Sequence, residues 1–250
     1  MGLLRRTIRV SLVGLFLAMP FGAFAEGPSA RSEDQGLREV LEIAQDVLFP
    51  NGPETGLSRW AFAPVTLAVN AMPEEEELLR DALRQFSMPL GGELQVTANR
   101  TAASMPVFFF DHFDQILDHT DVIANCLGSG TIPDLIQAVV DGIRSAGNDL
   151  YVAPAEKQNV IGCAPIVLSR DHPERHRKLL MRGMAISFGL RGTTDYESIT
   201  TNNKRDDRIS PADGILLHIA YHLAKPGMTW AEVKVLIEQA WAERNGPASR

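Results

Sequence analysis

The stretch Leu179–Leu190, LLMRGMAISFGL, reads as a helix that no side of the fold can leave open to water. Leu180, Met181, Met184, Ala185, Ile186 and Phe188 spread apolar surface around nearly its whole circumference, and Arg182 is its one charge. A surface helix carries a single apolar stripe, whereas one that is apolar all round has to be enclosed. This segment is therefore central to the fold. Gly189-Leu190 sets its end, because a glycine there can take the left-handed conformation that closes a helix. Just upstream, LYVAP (150–154) and VIGCAPIVL (160–168) are apolar and rich in residues that suit strands, so the helix follows two strands in the chain.

The remaining segments supply the other layers. Leu37–Phe49 has apolar residues at helical intervals (Leu37, Val40, Leu41, Ala44, Val47, Leu48), and FPNGPETG stops it with two prolines and two glycines. Trp60–Val69, WAFAPVTLAV, reads as one strand-like run. After Pro73 the glutamates Glu74–Glu77 lead into Leu78, Leu79, Ala82, Leu83 and Phe86. These acids suit the positive end of a helix dipole and read as a solvated face. Consecutive side chains fan out around a helix and do not converge on a metal ion. ELQVTA (93–98) and PVFFFD (106–111) read as strands, and His112–Asn148 as a helical insertion. Within it Thr131 caps a helix with the stripe Ile132, Leu135, Ile136, Val139, Val140 and Ile143. GSGT (128–131) lacks the third glycine and the lysine of a phosphate-binding loop and reads as a plain connection. SPAD (210–213) and TWAE (229–232) announce two more helices through capping-box patterns. The expected class is α+β, a mixed sheet packed on helices with a C-terminal helical part. Its expected organisation is an extension over 26–58 with one short helix, then a domain over 59–245 with the insertion at about 112–148.

Residues 1–25 place Arg5, Arg6 and Arg9 before an apolar run and end in Ala23-Phe24-Ala25, the small-x-small pattern of a secretory leader. Pro20 and Gly22 interrupt a run already short of the ~20 residues that a membrane span needs, so no span is expected after cleavage. No cysteine follows Ala25 to carry a lipid, and a periplasmic or secreted product is expected. Removing three arginines takes the formal charge from −7 to −7 − 3 = −10, which leaves no footprint for a nucleic-acid backbone. Cys126 and Cys163 are the only thiols; in an oxidising compartment the pair reads as a disulfide. Two cysteines are too few for a thiolate zinc site, and apolar neighbours would raise the pKa of Cys163 and blunt it as a nucleophile.

The order strand, helix, strand, strand, insertion, two strands and a buried helix ending in Gly-Leu resembles the upper half of a zincin-type metalloprotease. In zincins the last helix carries H-E-x-x-H-x-x-G. ISPADGILLHIAY (209–221) is similar to the start of the helix that supports the site in matrix-type zincins. Arg59–Met228 resembles more specifically an exported bacterial family, domain of unknown function 2927, through Trp60, Gly189-Leu190, Asp195, Ser198-Ile199 and the Lys225–Met228 ending Lys-Pro-Gly-Met. That resemblance implies a zincin-like domain. If Gly189 is the motif glycine, the first ligand position is Arg182, the general-base position Gly183, the second ligand Ile186 and the third Gly192. Zinc needs nitrogen, oxygen or thiolate lone pairs, and its water needs a base. None of the four offers one, and a fixed guanidinium at Arg182 repels a cation. No cofactor is expected.

The expectation is an exported, non-catalytic binding or interaction domain for a protein, peptide or cell-envelope component, with no nucleic-acid partner. Its contact would lie in a groove beside this helix, at Arg182, either as an anion contact or in an ion pair with Asp195. The alternative is a metal-dependent, peptidase-like hydrolase with a relocated site using His218 and His222, whose spacing of four puts both rings on one helical face. His172 and His176 share that spacing but straddle a helix start at Pro173. Both pairs read first as structural histidines.

Overall fold

The computed structural model describes residues 33–128, 133–146, 149–194, 198–200 and 208–245. The expected leader 1–25, the Thr131 cap and Asp195 lie outside them. The architecture is α+β with two mixed sheets. At its centre is β4 (Met105–Phe110), buried at every position. Met105, Val107 and Phe109 enter the larger hydrophobic core, while Phe108 and Phe110 enter a second core on the opposite face. A continuous apolar run such as PVFFF is what a parallel strand covered on both faces requires.

Around it lie β2 (Val65–Val69), β3 (Gln95–Val96), β8 (Ile166–Ser169) and β5 (Leu150–Val152), in the order β3-β2-β4-β8-β5. The pairs β3–β2, β2–β4 and β4–β8 are parallel, and β5 closes the edge antiparallel to β8. The larger core gathers α1 (Glu33–Leu48), α2 (Pro73–Leu90), α5 (His176–Ser187), α6 (Pro211–His218) and α7 (Trp230–Asn245). Val40, Ile43, Ala44, Val47 and Leu48 bury the apolar face of α1 there, so the segment from Glu33 shares the main core. The opposite face is covered by the insertion: a 3-10 turn at Phe113–His119, then α3 (Thr120–Leu127) and α4 (Pro133–Ala146).

Two apolar runs each divide into two strands. Trp60–Val69 splits into β1 (Arg59–Trp60) and β2, and 160–168 into β7 (Val160–Cys163) and β8, with the halves in different sheets. Pro64 and Pro165 sit at the breaks, directly before the first residues of β2 and β8, where a missing N–H interrupts no ladder, as Pro106 likewise stands before the pairing of β4 with β8 begins at Val107. β1 and β7 pair in parallel, and β6 (Ala155–Lys157) joins β7 through a turn in which Gln158 and Asn159 both have positive φ. The expected strand at 93–98 shrinks to the two exposed residues of β3.

Cys126 on α3 and Cys163 on β7 form a disulfide, with their Cα atoms 5.3 Å apart and 37 residues between them in sequence. It fastens the insertion to the three-stranded sheet. Closing a loop of that length restricts the unfolded chain, so the double substitution Cys126→Ser, Cys163→Ser is expected to lower stability by about 3–4 kcal/mol in urea unfolding. A loss below about 1 kcal/mol would mean that the unfolded chain does not gain the freedom this account requires.

Candidate functional site

The helix that reads as apolar nearly all round is α5, and the fold encloses most of its circumference. Leu179, Leu180, Met181, Met184 and Ala185 are buried. Phe188, at the helix end, stacks on Phe86 of α2 with ring centroids 5.2 Å apart. On its other side α5 lies against β5 and β8.

Its C-terminus follows from four sequence features. Gly189 has φ 92°. The Leu190 amide donates to Ala185 O (2.9 Å) and the Gly189 amide to Ile186 O (3.0 Å), the paired bonds of a Schellman closure. Of the carbonyls left over at a helix end, Ser187 O accepts from Trp60 Nε1 (2.8 Å) and Phe188 O from the Tyr221 hydroxyl (3.1 Å). Burial pushes the Tyr221 phenol above its usual range, which keeps it protonated as that donor. A Cβ on Gly189 would overlap Ser58 O, so close backbone approach as well as dihedral angle selects glycine. The Lys-Pro-Gly-Met ending is likewise architectural: Gly227 has φ 83°, the Met228 amide closes a turn on Lys225 O (3.2 Å), and Gly227 and Met228 bracket Leu57 through backbone bonds of 2.9 and 2.8 Å.

The four positions that the zincin resemblance would align with metal ligands and base have distinct fates. Arg182 and Ile186, one turn apart, are half-buried and with Lys178 mark the more open face of α5. Gly183 is pressed under the sheet: a Cβ there would stand 2.8 Å from Ile166 Cγ2, 3.1 Å from Leu150 Cδ1 and 3.6 Å from Val152 Cγ2. Gly192 rests on the backbone of α1, where a Cβ would overlap Asp46 O. Among the described residues no group of three His, Cys, Asp or Glu side chains is placed to hold a metal ion.

The histidine pairs divide by environment. His172 is half-exposed beside Glu174, whereas His176 is buried with Nε2 on Ser169 O at 2.9 Å. His218 and His222 lie face to face, ring centroids 4.7 Å apart and planes 27° from parallel, across the junction of α6 with a π-helical turn at Ile219–Leu223. Near-parallel rings aim their in-plane lone pairs alongside one another, and His222 Nε2 is 3.1 Å from Pro89 O, so that nitrogen carries the proton. Burial, assisted by His222, pushes His218 down to about 4.

Sequence reading missed one polar cluster, at the C-terminal ends of the parallel strands. Arg170 follows β8 and meets Glu75 through two hydrogen bonds (Nε 2.8 Å, Nη2 2.7 Å), Asp111 after β4 at 3.3 Å, and the carbonyl of Asn70 after β2. Glu75 also accepts from the Met72 amide at the head of α2 (2.8 Å). The expectation that all four glutamates face solvent therefore fails for Glu75, which is 4% exposed. Its place at N3 of α2 aims it back over the strand ends; Asn70 and Asp111, each directly after an apolar run, and Arg170, two residues after one, were the available signal. Every Arg170 nitrogen has an acceptor here, so the cluster acts as a staple across three strands.

The chain matches no family model, no curated protein and no solved structure. Among the described residues no helix is long and apolar enough to cross a membrane.

Proposed function

We propose that this chain is an exported, zincin-like domain that has given up metal catalysis and serves as a binding or interaction module for a protein, peptide or cell-envelope component. The order within the five-stranded sheet supports the architectural half: β2, α2, β3, β4, the helical insertion, β5, β8 and α5 follow one another in the chain, with β6 and β7 of the smaller sheet between β5 and β8. The observation that carries the functional half is the state of the ligand positions. Beyond the loss of donor side chains, Gly183 is roofed by Ile166, Leu150 and Val152, and Gly192 is closed off by the backbone of α1. A hydrolytic site needs an open coordination position and room for a substrate carbonyl beside its base. The face of α5 that stays half-open carries Lys178, Arg182 and Ile186, and the contact is assigned to it.

Metal analysis of the purified mature protein, paired with casein turnover with and without a chelator, tests the reading. Zinc far below one equivalent and no chelator-sensitive turnover are expected. Stoichiometric zinc, or turnover abolished by chelation, defeats it.

A further inference from the structure

The outer edge of β2 is only half covered. β3 pairs with Val65 and Thr66 and ends at Val96, whereas β4 follows the other edge of β2 as far as Val69. The ladder alternates: Thr66 O accepts on the outer side from the Thr97 amide (2.8 Å), and Val65 O on the inner side from the Ser104 amide (2.9 Å). Two residues beyond Thr66, Ala68 turns its N–H and C=O outward with no strand beside it. A cavity of about 550 Å³ lies there, bounded by Leu67 and Ala68, by Leu79, Glu76 and Arg80 of α2, and by Val96 to Ala98 with Arg100.

We propose that this slot takes an extended peptide segment of a partner protein, added as a strand against β2, with an acidic side chain between Arg80 and Arg100. The open edge from Leu67 to Val69 spans about 10 Å at a rise of about 3.3 Å per residue, which sets the core of the segment at three residues. Backbone bonds to Ala68 supply sequence-independent affinity, and the walls select side chains at alternate positions. Those walls are apolar at Leu67, Leu79 and Val96, of which Val96 is 43% exposed. They also present two guanidiniums and one carboxylate: Arg80 is 2.7 Å from Glu76, and Arg100 is 2.7 Å from Asp121, which lies outside the lining. None of these residues belongs to α5, so the site stands whether or not α5 has a ligand of its own.

The probe is the capped peptide acetyl-Thr-Val-Glu-Val-Thr-amide, titrated into the mature protein by calorimetry and by amide NMR. Saturable binding that shifts the Ala68 amide is expected, weakened roughly tenfold when lysine replaces the peptide's glutamate or when the peptide's central amide is N-methylated. Ala68→Pro removes an N–H that the ladder does not use, so the variant is expected to fold and to lose binding by a similar factor. The methylated peptide gives the same information if that variant does not fold. No saturation up to about 1 mM, or binding indifferent to both the methylation and Arg100→Gln, overturns the proposal.

Discussion

Gly192→Ala is expected to yield no soluble folded protein, with a loss of more than about 5 kcal/mol, enough to consume the stability of an ordinary domain. The Arg191 and Gly192 amides both donate to Val47 O at 3.0 Å, fastening the segment after α5 to the last turn of α1. A methyl group on Gly192 would overlap Asp46 O and stand 2.9 Å from Val47 Cα, and both obstacles are backbone. No side chain can swing aside. Relief means parting the two segments, which breaks both hydrogen bonds and opens a core in which Val47 and Leu190 are fully buried. Gly162→Ala is the matched control, since nothing stands within 4 Å of its added carbon and a change of less than about 1 kcal/mol is expected. A Gly192→Ala protein with unaltered melting would show that α1 does not seat against this segment as described. Gly192→His should fail equally, so a histidine at this position is incompatible with the fold.

How much of this was legible from sequence depends on which interactions are local. The enclosed helix was readable because its periodicity is a property of twelve successive residues, and enclosure follows from it whatever the neighbours are. The Ser210 cap was readable for the same reason: cap, proline and acid lie within four residues. Strand limits were not, because the breaks at Pro64 and Pro165 are also changes of sheet, and which sheet a strand joins is decided by distant partners. Within the candidate site the absence of donor side chains at Arg182, Gly183, Ile186 and Gly192 was visible, but its cause was not. Gly183 and Gly192 look alike in sequence; one lies under apolar side chains and the other against a helix backbone that comes from 145 residues earlier by the numbers 47 and 192. Glu75 shows the same limit in reverse, since nothing in a run of four glutamates says which will meet an arginine almost a hundred residues away.

The second large effect is expected at Asp213, the third residue of α6, which is completely buried. One carboxylate oxygen accepts from the Ser198 hydroxyl (2.6 Å); the other accepts from the Ile199 amide and the Ser210 amide (both 2.9 Å). The Ser-Ile pair and the Ser-Pro-Ala-Asp pattern, read separately in the sequence, thus form one device that pins the segment after α5 to the head of α6. Asp213→Ala leaves the buried Ile199 amide and the half-buried Ser210 amide without this acceptor and leaves the Ser198 hydroxyl to Thr200 Oγ1 at 3.1 Å; at about 1–3 kcal/mol for each lost acceptor, a loss of about 3–4 kcal/mol in urea unfolding is expected. Asp213→Asn can keep its carbonyl oxygen on the two amides and turn its NH2 toward the Ser198 hydroxyl, and a loss nearer about 1 kcal/mol is expected. The two substitutions also respond differently to pH. Burial, outweighing the hydrogen bonds from Ser198, Ser210 and Ile199, holds the Asp213 carboxyl above its ordinary range. A carboxyl with a raised folded pKa contributes stability that is fully present below the unfolded value of 3.8 and is lost as pH rises through the folded value. The amide of Asp213→Asn has no such dependence. Its stability relative to the native protein should therefore improve as pH rises through that window, and a difference that stays constant or moves the other way would show that the carboxylate is better solvated than its burial implies.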